Sequence, residues 1–248
     1  MSLMVHQPRT IEVPGPRAPL DPPGRFARDP RRAESFYRKC AGVSAFLSGL
    51  LVFVSILMIP FDGVGSEGYL RSNLEHPDAI RWAAVVLHYG FLLLVPASFG
   101  MAYLSRRGSR SLSNLGLVLA VLGSGLSGLM AVDYYDLALA TTLPMDQAVE
   151  VYEAAGSTAG AAPMFIQLPS MFGTMLGTVL LALAVRRAGF GSRVAPAAMT
   201  VGWVVFLAGA QHFAGAAIGT GLIAVATVVI GLRILYASDT EWESGVPD

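Results

Sequence analysis

Long apolar runs separated by short charged connections fill most of the chain after Cys40. A lipid core needs about 20 apolar residues per helix, and on that measure six segments stand out, at 41–60, 82–104, 115–132, 163–185, 194–211 and 214–236. The pattern predicts an all-α fold, a polytopic bundle of six transmembrane helices occupying residues 36–237. Residues 1–35 are rich in Pro and Arg and hold no continuous apolar stretch, so they are expected to form a disordered cytoplasmic tail. Residues 238–248 form a second cytoplasmic tail. No signal-peptide apolar region precedes the first helix, which then also serves for insertion.

The third connection is long enough for an element of its own. Pro144 suits a first helical position, Ala148, Val151, Tyr152 and Ala155 recur at helical spacing, and Asp146, Glu150 and Glu153 fall opposite. This predicts a short amphipathic helix on the outer surface, ended by Gly156 and followed by a small-residue hinge at 157–162. It reads either as an acidic solvated connection or as a lid. Helix packing is legible in small residues, because lipid-embedded helices associate by close backbone approach. Gly116, Ala120, Ser124 and Gly128 form one ridge, Gly173 and Gly177 a second, and Gly215 and Gly219 a third. Gly123, Gly125 and Gly128 also match a dinucleotide fingerprint, but inside a membrane helix that match has no strand to follow. The turns Arg106-Arg107-Gly108 and Arg186-Arg187-Ala188-Gly189 hint at two parallel hairpins related about the membrane normal.

Composition agrees with the pattern. Hydrophobic residues make up 54% and charged residues 14%, with mean hydropathy +0.56, far from the soluble norm of about 25% charged. Net charge is zero and no basic block interleaves with aromatics, which excludes a nucleic-acid footprint. The single Cys40 permits no internal disulfide. Lys39 is the only lysine among many arginines, a usage typical of GC-rich, actinobacterial-type genes.

Charge placement sets the topology, since cytoplasmic loops collect Arg and Lys. Arg31, Arg32, Arg38 and Lys39, then Arg106, Arg107 and Arg110, then Arg186, Arg187 and Arg193 mark the inside. The first connection, with Asp62, Glu67, Glu75 and Asp78, and the third, with Asp136, Asp146, Glu150 and Glu153, face out. Both termini are expected in the cytoplasm and the protein in the plasma (inner) membrane.

Polar residues within the spans converge on the outer leaflet. His88, Gln167, Asp133, Gln211 and His212 lie there, with Asp62 nearby, while the inner half is almost wholly apolar. Asp133 and Asp136 close the third segment, and a carboxyl in hydrocarbon is costly enough to mark a functional position. A neutral Asp in an apolar pocket is a competent general acid. Protonation of an alkene or epoxide would leave a carbocation that Tyr134, Tyr135, Trp82, Tyr89 and Phe165 could shield by their ring quadrupoles. His88, Gln167, Gln211 and His212 would complete the substrate site. Against this stand an interfacial anchor made by the two acids with Tyr134 and Tyr135, a structural hydrogen bond for His88, and a tight turn at His212.

In size, helix number and embedded acid, residues 36–237 resemble the small membrane-bound terpene cyclases of meroterpenoid and indole-terpenoid pathways. The resemblance rests on architecture and not on a strict motif. It implies cofactor-free cyclisation of a prenylated, lipophilic substrate. The alternatives are a haem- or quinone-binding redox protein using His88 and His212, with Asp133 and Asp136 offering a hard metal site, and a non-catalytic accessory or assembly subunit. No HxxxH or HExxH occurs, so neither a metal nor a cofactor is expected.

Overall fold

The computed structural model describes residues 30–59, 65–160, 164–209 and 212–247. Among these it is all α-helical. The elements are α1 (Pro30–Met58), α2 (Gly65–Glu75), α3 (Pro77–Ser105), α4 (Arg110–Gly123), a 3-10 turn (Ser124–Gly128), α5 (Leu129–Thr142), α6 (Met145–Ala159), α7 (Met164–Arg187), α8 (Val194–Gly209), α9 (Phe213–Tyr236) and α10 (Asp239–Ser244).

Among the described residues, five stretches are long and apolar enough to cross a membrane, in α1, α3, α4 through α5, α7 and α9, whereas α8 is also apolar but has only 16 residues. At 1.5 Å per residue α8 spans about 24 Å, short of a typical hydrocarbon core of about 30 Å. Helix α1 already begins at Pro30, so residues 30–35, expected in the tail, are helical. Residues 1–29 lie outside the described residues.

The third segment departs most from expectation. It does not end near Val132. After the 3-10 turn at Ser124–Gly128 the chain re-enters a regular helix and continues to Thr142. Ser and Gly are weak helix formers, which suits a local tightening. The helix then persists because Leu137, Leu139 and Ala140 are buried, and it stops where Leu143 turns extended ahead of Pro144. Asp133 and Asp136 therefore sit in the body of a helix and not at its end.

Helix α2 falls where the sequence shows only an acidic connection. Its Leu70 is fully buried and packs with α6 and α5. Helix α6 occurs where its periodicity predicts it, with two corrections. Gly156 does not end it, because the helix runs to Ala159 and turns at Gly160, whose φ is +55°. Its packed residues are Met145, Ala148, Val149 and Tyr152, while Val151 and Ala155 are exposed. The partners are Tyr69, Leu70, Leu139, Ala140 and Leu143. Helices α2, α5 and α6 thus make a small cap with a core of its own.

The apolar helices close into a ring. Helix α1 packs on α3, α3 on α4, α4 on α7, α7 on α8, α8 on α9, and α9 returns to α1. Close approach requires glycine at the seams. A Cβ on Gly123 would collide with the backbone of Thr174, and one on Gly49 with Thr227 and Ala224. The predicted α4 ridge holds for Gly116 and the buried Ala120, but Gly128 faces open space. The 3-10 turn that follows carries Gly128 out of the seam, and Gly123, in register with Gly116 and Ala120, completes it.

One end of the ring is basic. Its two Arg-Arg turns touch, Gly108 lying against Ala188. The expected C-terminal tail folds there as α10, whose start is secured by a capping box between Ser238 and Glu241. Arg38 pairs with Asp239 at 2.9 Å and donates to the Ala237 carbonyl. Arg233 pairs with Glu241, and Arg106 donates to the Trp242 and Glu243 carbonyls. Three helices are thereby tied to the last turn of the chain.

Candidate functional site

A cavity of about 300 Å³ lies at the centre of the ring. Five of the ring helices contribute to its wall, and the third segment adds its 3-10 turn and the start of α5 in place of α4. Val52 and Ile56 come from α1, Phe91 and Leu94 from α3, Leu126 and Leu129 from the third segment, Met171 and Thr174 from α7, Trp203 and Phe206 from α8, and Thr220 and Ile223 from α9. Such a partly open apolar recess with few polar groups is the usual form of a small-molecule site.

The hydroxyls in the wall are turned back into their own helices. Thr174 donates to the Ser170 and Gly123 carbonyls, Thr178 to Thr174, Thr220 to Ala216 and Thr227 to Ala224. Trp203, 7% exposed, donates its Nε1–H to Thr178 Oγ1 at 3.0 Å. A buried indole needs such a partner. Gln167 lines the opposite end of the cavity, near the start of α7, and its carboxamide makes no hydrogen bond among the described residues.

The acid pair lies elsewhere. Asp136 is 4% exposed, and the Tyr69 hydroxyl of α2 donates to its Oδ2 at 3.1 Å. Burial pushes the Tyr69 phenol above its ordinary range, and the charges of Asp136 and Asp133 add to this. It stays protonated and is a dedicated donor. Tyr152 of α6 is raised too, by burial first and then by Asp136, and its ring sits 6.0 Å from that of Tyr69. The acids thus belong to the α2–α5–α6 cap, and neither lines the central cavity.

Comparison of the chain with known protein families, curated proteins and solved structures finds no match. The site rests on its own geometry.

The expected site residues divide into groups. Gln167 lines the central cavity. Trp82 and Tyr134 line an outer groove of about 600 Å³ between α3 and α5, together with Asp78, Arg81 and Thr141. His88 bonds through Nδ1 to the Ser127 carbonyl of the 3-10 turn at 3.0 Å. Since a carbonyl only accepts, that nitrogen carries the proton. Tyr89 stands edge-on to His88 at 5.4 Å and is largely exposed, as are Tyr135 and Phe165, the last 79% exposed. His212 forms the exposed turn ahead of α9, as expected for it. Gln211 and Asp62 lie outside the described residues. No group of three His, Cys, Asp or Glu able to hold a metal occurs among the described residues.

Sequence reasoning missed Tyr69, Tyr152 as its neighbour, and Trp203. The last carried a readable signal. Membrane tryptophans gather at the interfaces, so one at mid-helix, with an N–H to satisfy, marks an internal polar contact.

Proposed function

We propose that this chain is an integral membrane protein that holds a lipophilic small molecule in its central cavity. The observation that carries this is an apolar cavity whose wall is drawn from α1, α3, α7, α8 and α9 together with the 3-10 turn and α5 of the third segment. Chain direction supports a six-crossing reading, in which α8 leads away from the basic end, where α7 ends with Arg187, and α9 returns to it near Arg233. The arginine-rich end, which holds α10, is the cytoplasmic side of a plasma (inner) membrane by the positive-inside rule, and the α2–α5–α6 cap faces out.

The test is extraction of lipophiles from the purified protein, followed by mass spectrometry. A specific molecule should be enriched over bulk lipid and be lost in Met171→Trp, which fills the cavity from α7. The same extract from both proteins would reject the proposal.

A catalytic extension is favoured by the burial of Asp136. In it, Asp133 or Asp136 protonates an alkene or epoxide of a prenylated substrate, the carbocation cyclises, and loss of a proton restores the acid. No oxidant or cofactor is required. Because the acids lie in the cap and not in the cavity wall, the substrate's reactive end would have to reach them beyond the cavity. Incubation with prenylated substrates should give a product of unchanged mass and altered retention, absent from Asp133→Asn or Asp136→Asn. Unaltered turnover in both variants and in their double would remove the general-acid role.

A further inference from the structure

We infer that the central cavity takes a single-chain lipid with an uncharged polar head, seated with that head at Gln167 and its chain running toward Trp203. This deepens the proposal of a lipophilic ligand and rests on it.

Shape gives the single chain. Gln167 and Thr178 both line the cavity on α7, and their separation in sequence corresponds to about 16 Å along the helix. A volume of about 300 Å³ spread over that depth makes a narrow slot. It accommodates one hydrocarbon chain and not the two of a phospholipid.

Charge sets the head. The described residues lining the cavity include no Asp, Glu, Lys, Arg or His. A carboxylate or diphosphate drawn inside would lose its hydration without gaining a counter-charge, a cost of several kcal/mol per ion. The wall hydroxyls already donate to backbone carbonyls, and Thr178 also receives the Trp203 indole. They have no proton left to offer an anion.

Position sets the orientation. The Gln167 carboxamide can both donate and accept. It is exposed at the end of the slot away from the arginines, and deeper in, the walls are Phe91, Leu94 and Ile223. An alcohol, aldehyde, ketone or ester head would bond there while its chain filled the apolar depth.

Trp203 provides the readout. With Trp82→Phe and Trp242→Phe it becomes the sole tryptophan, and a bromine carried into the slot will quench it. The purified full chain is titrated with a brominated fatty alcohol, a brominated prenyl alcohol, the matching fatty acid and a brominated prenyl diphosphate. Saturable quenching by the alcohols is expected, reversed by unlabelled alcohol, with at least about tenfold weaker binding of both anions. Gln167→Leu should weaken alcohol binding roughly five- to tenfold, as loss of one hydrogen bond does. Equal or tighter binding of an anion, or no effect of Gln167→Leu, overturns the head assignment and leaves the cavity proposal standing. Absence of saturable quenching by every probe, or quenching unchanged in a Leu94→Phe, Met171→Phe double variant that narrows the cavity without adding a tryptophan, overturns the cavity proposal itself.

Discussion

The contact between Tyr69 and Asp136 shows how much one side chain decides. Removing its hydroxyl in Tyr69→Phe leaves a buried carboxyl short of a donor, which costs about 1–3 kcal/mol. The melting temperature should fall accordingly, while Asp136→Asn, which keeps the shape and can still accept from Tyr69, should change it less. The phenol also makes an alkaline prediction. Its pKa is higher folded than unfolded, so its contribution is complete below the unfolded value of about 10 and is lost as pH rises above it. Tyrosinate absorbance should show a late-titrating component that vanishes in Tyr69→Phe. The acids themselves could be read from sequence as costly residues in an apolar setting. Their partner could not, because Tyr69 lies in a short helix whose flanking charges, Glu67 and Arg71, mark it as surface. Those two pair with each other at 2.7 Å on the exposed side, leaving the apolar side of α2 for Asp136.

Among the elements, apolar runs located every ring helix, since a helix satisfies its own backbone hydrogen bonds where water is excluded. Boundaries were less legible where two effects competed. The acids at 133 and 136 look like a terminus, yet buried Leu137, Leu139 and Ala140 carry the helix on to Thr142. Small residues predicted seams but not their full extent, since the 3-10 turn carries Gly128 out of the α4–α7 seam. That shift yields a paired test. Gly123→Ala should destabilise by roughly 1–3 kcal/mol through forced overlap with Thr174, whereas Gly128→Ala, facing open space, should stay within about 0.5 kcal/mol. Thermal unfolding in one detergent compares them, and equal losses would show that the α4–α7 seam is looser than its geometry. In α6, Tyr152→Ser should lower stability more than Val151→Ser, because Tyr152 packs into the cap core and Val151 does not.

At the scale of the whole molecule, the charge pattern along the sequence and the two unlike ends of the fold agree. Reporter fusions after Arg107 and after Gly156 are expected on opposite sides of the membrane, and the same side for both would refute six crossings. What the sequence concealed was closure, since apolar periodicity carries no record of which helices meet. The ring is sealed where α1 packs on α9, the first long helix against the last, and α10 binds Arg38 of the first to Arg233 of the last. The ribosome must therefore deliver the whole chain before α1 gains its final neighbour. Until α9 is made, the Gly49 seam lacks the Thr227 and Ala224 it packs against. A premature stop anywhere before α9 would leave an unclosed bundle, and its fate would be rapid degradation instead of slow loss of function. Pulse-chase labelling of a chain ending after Gly209 should show that short lifetime, and co-expression of the missing segment should lengthen it.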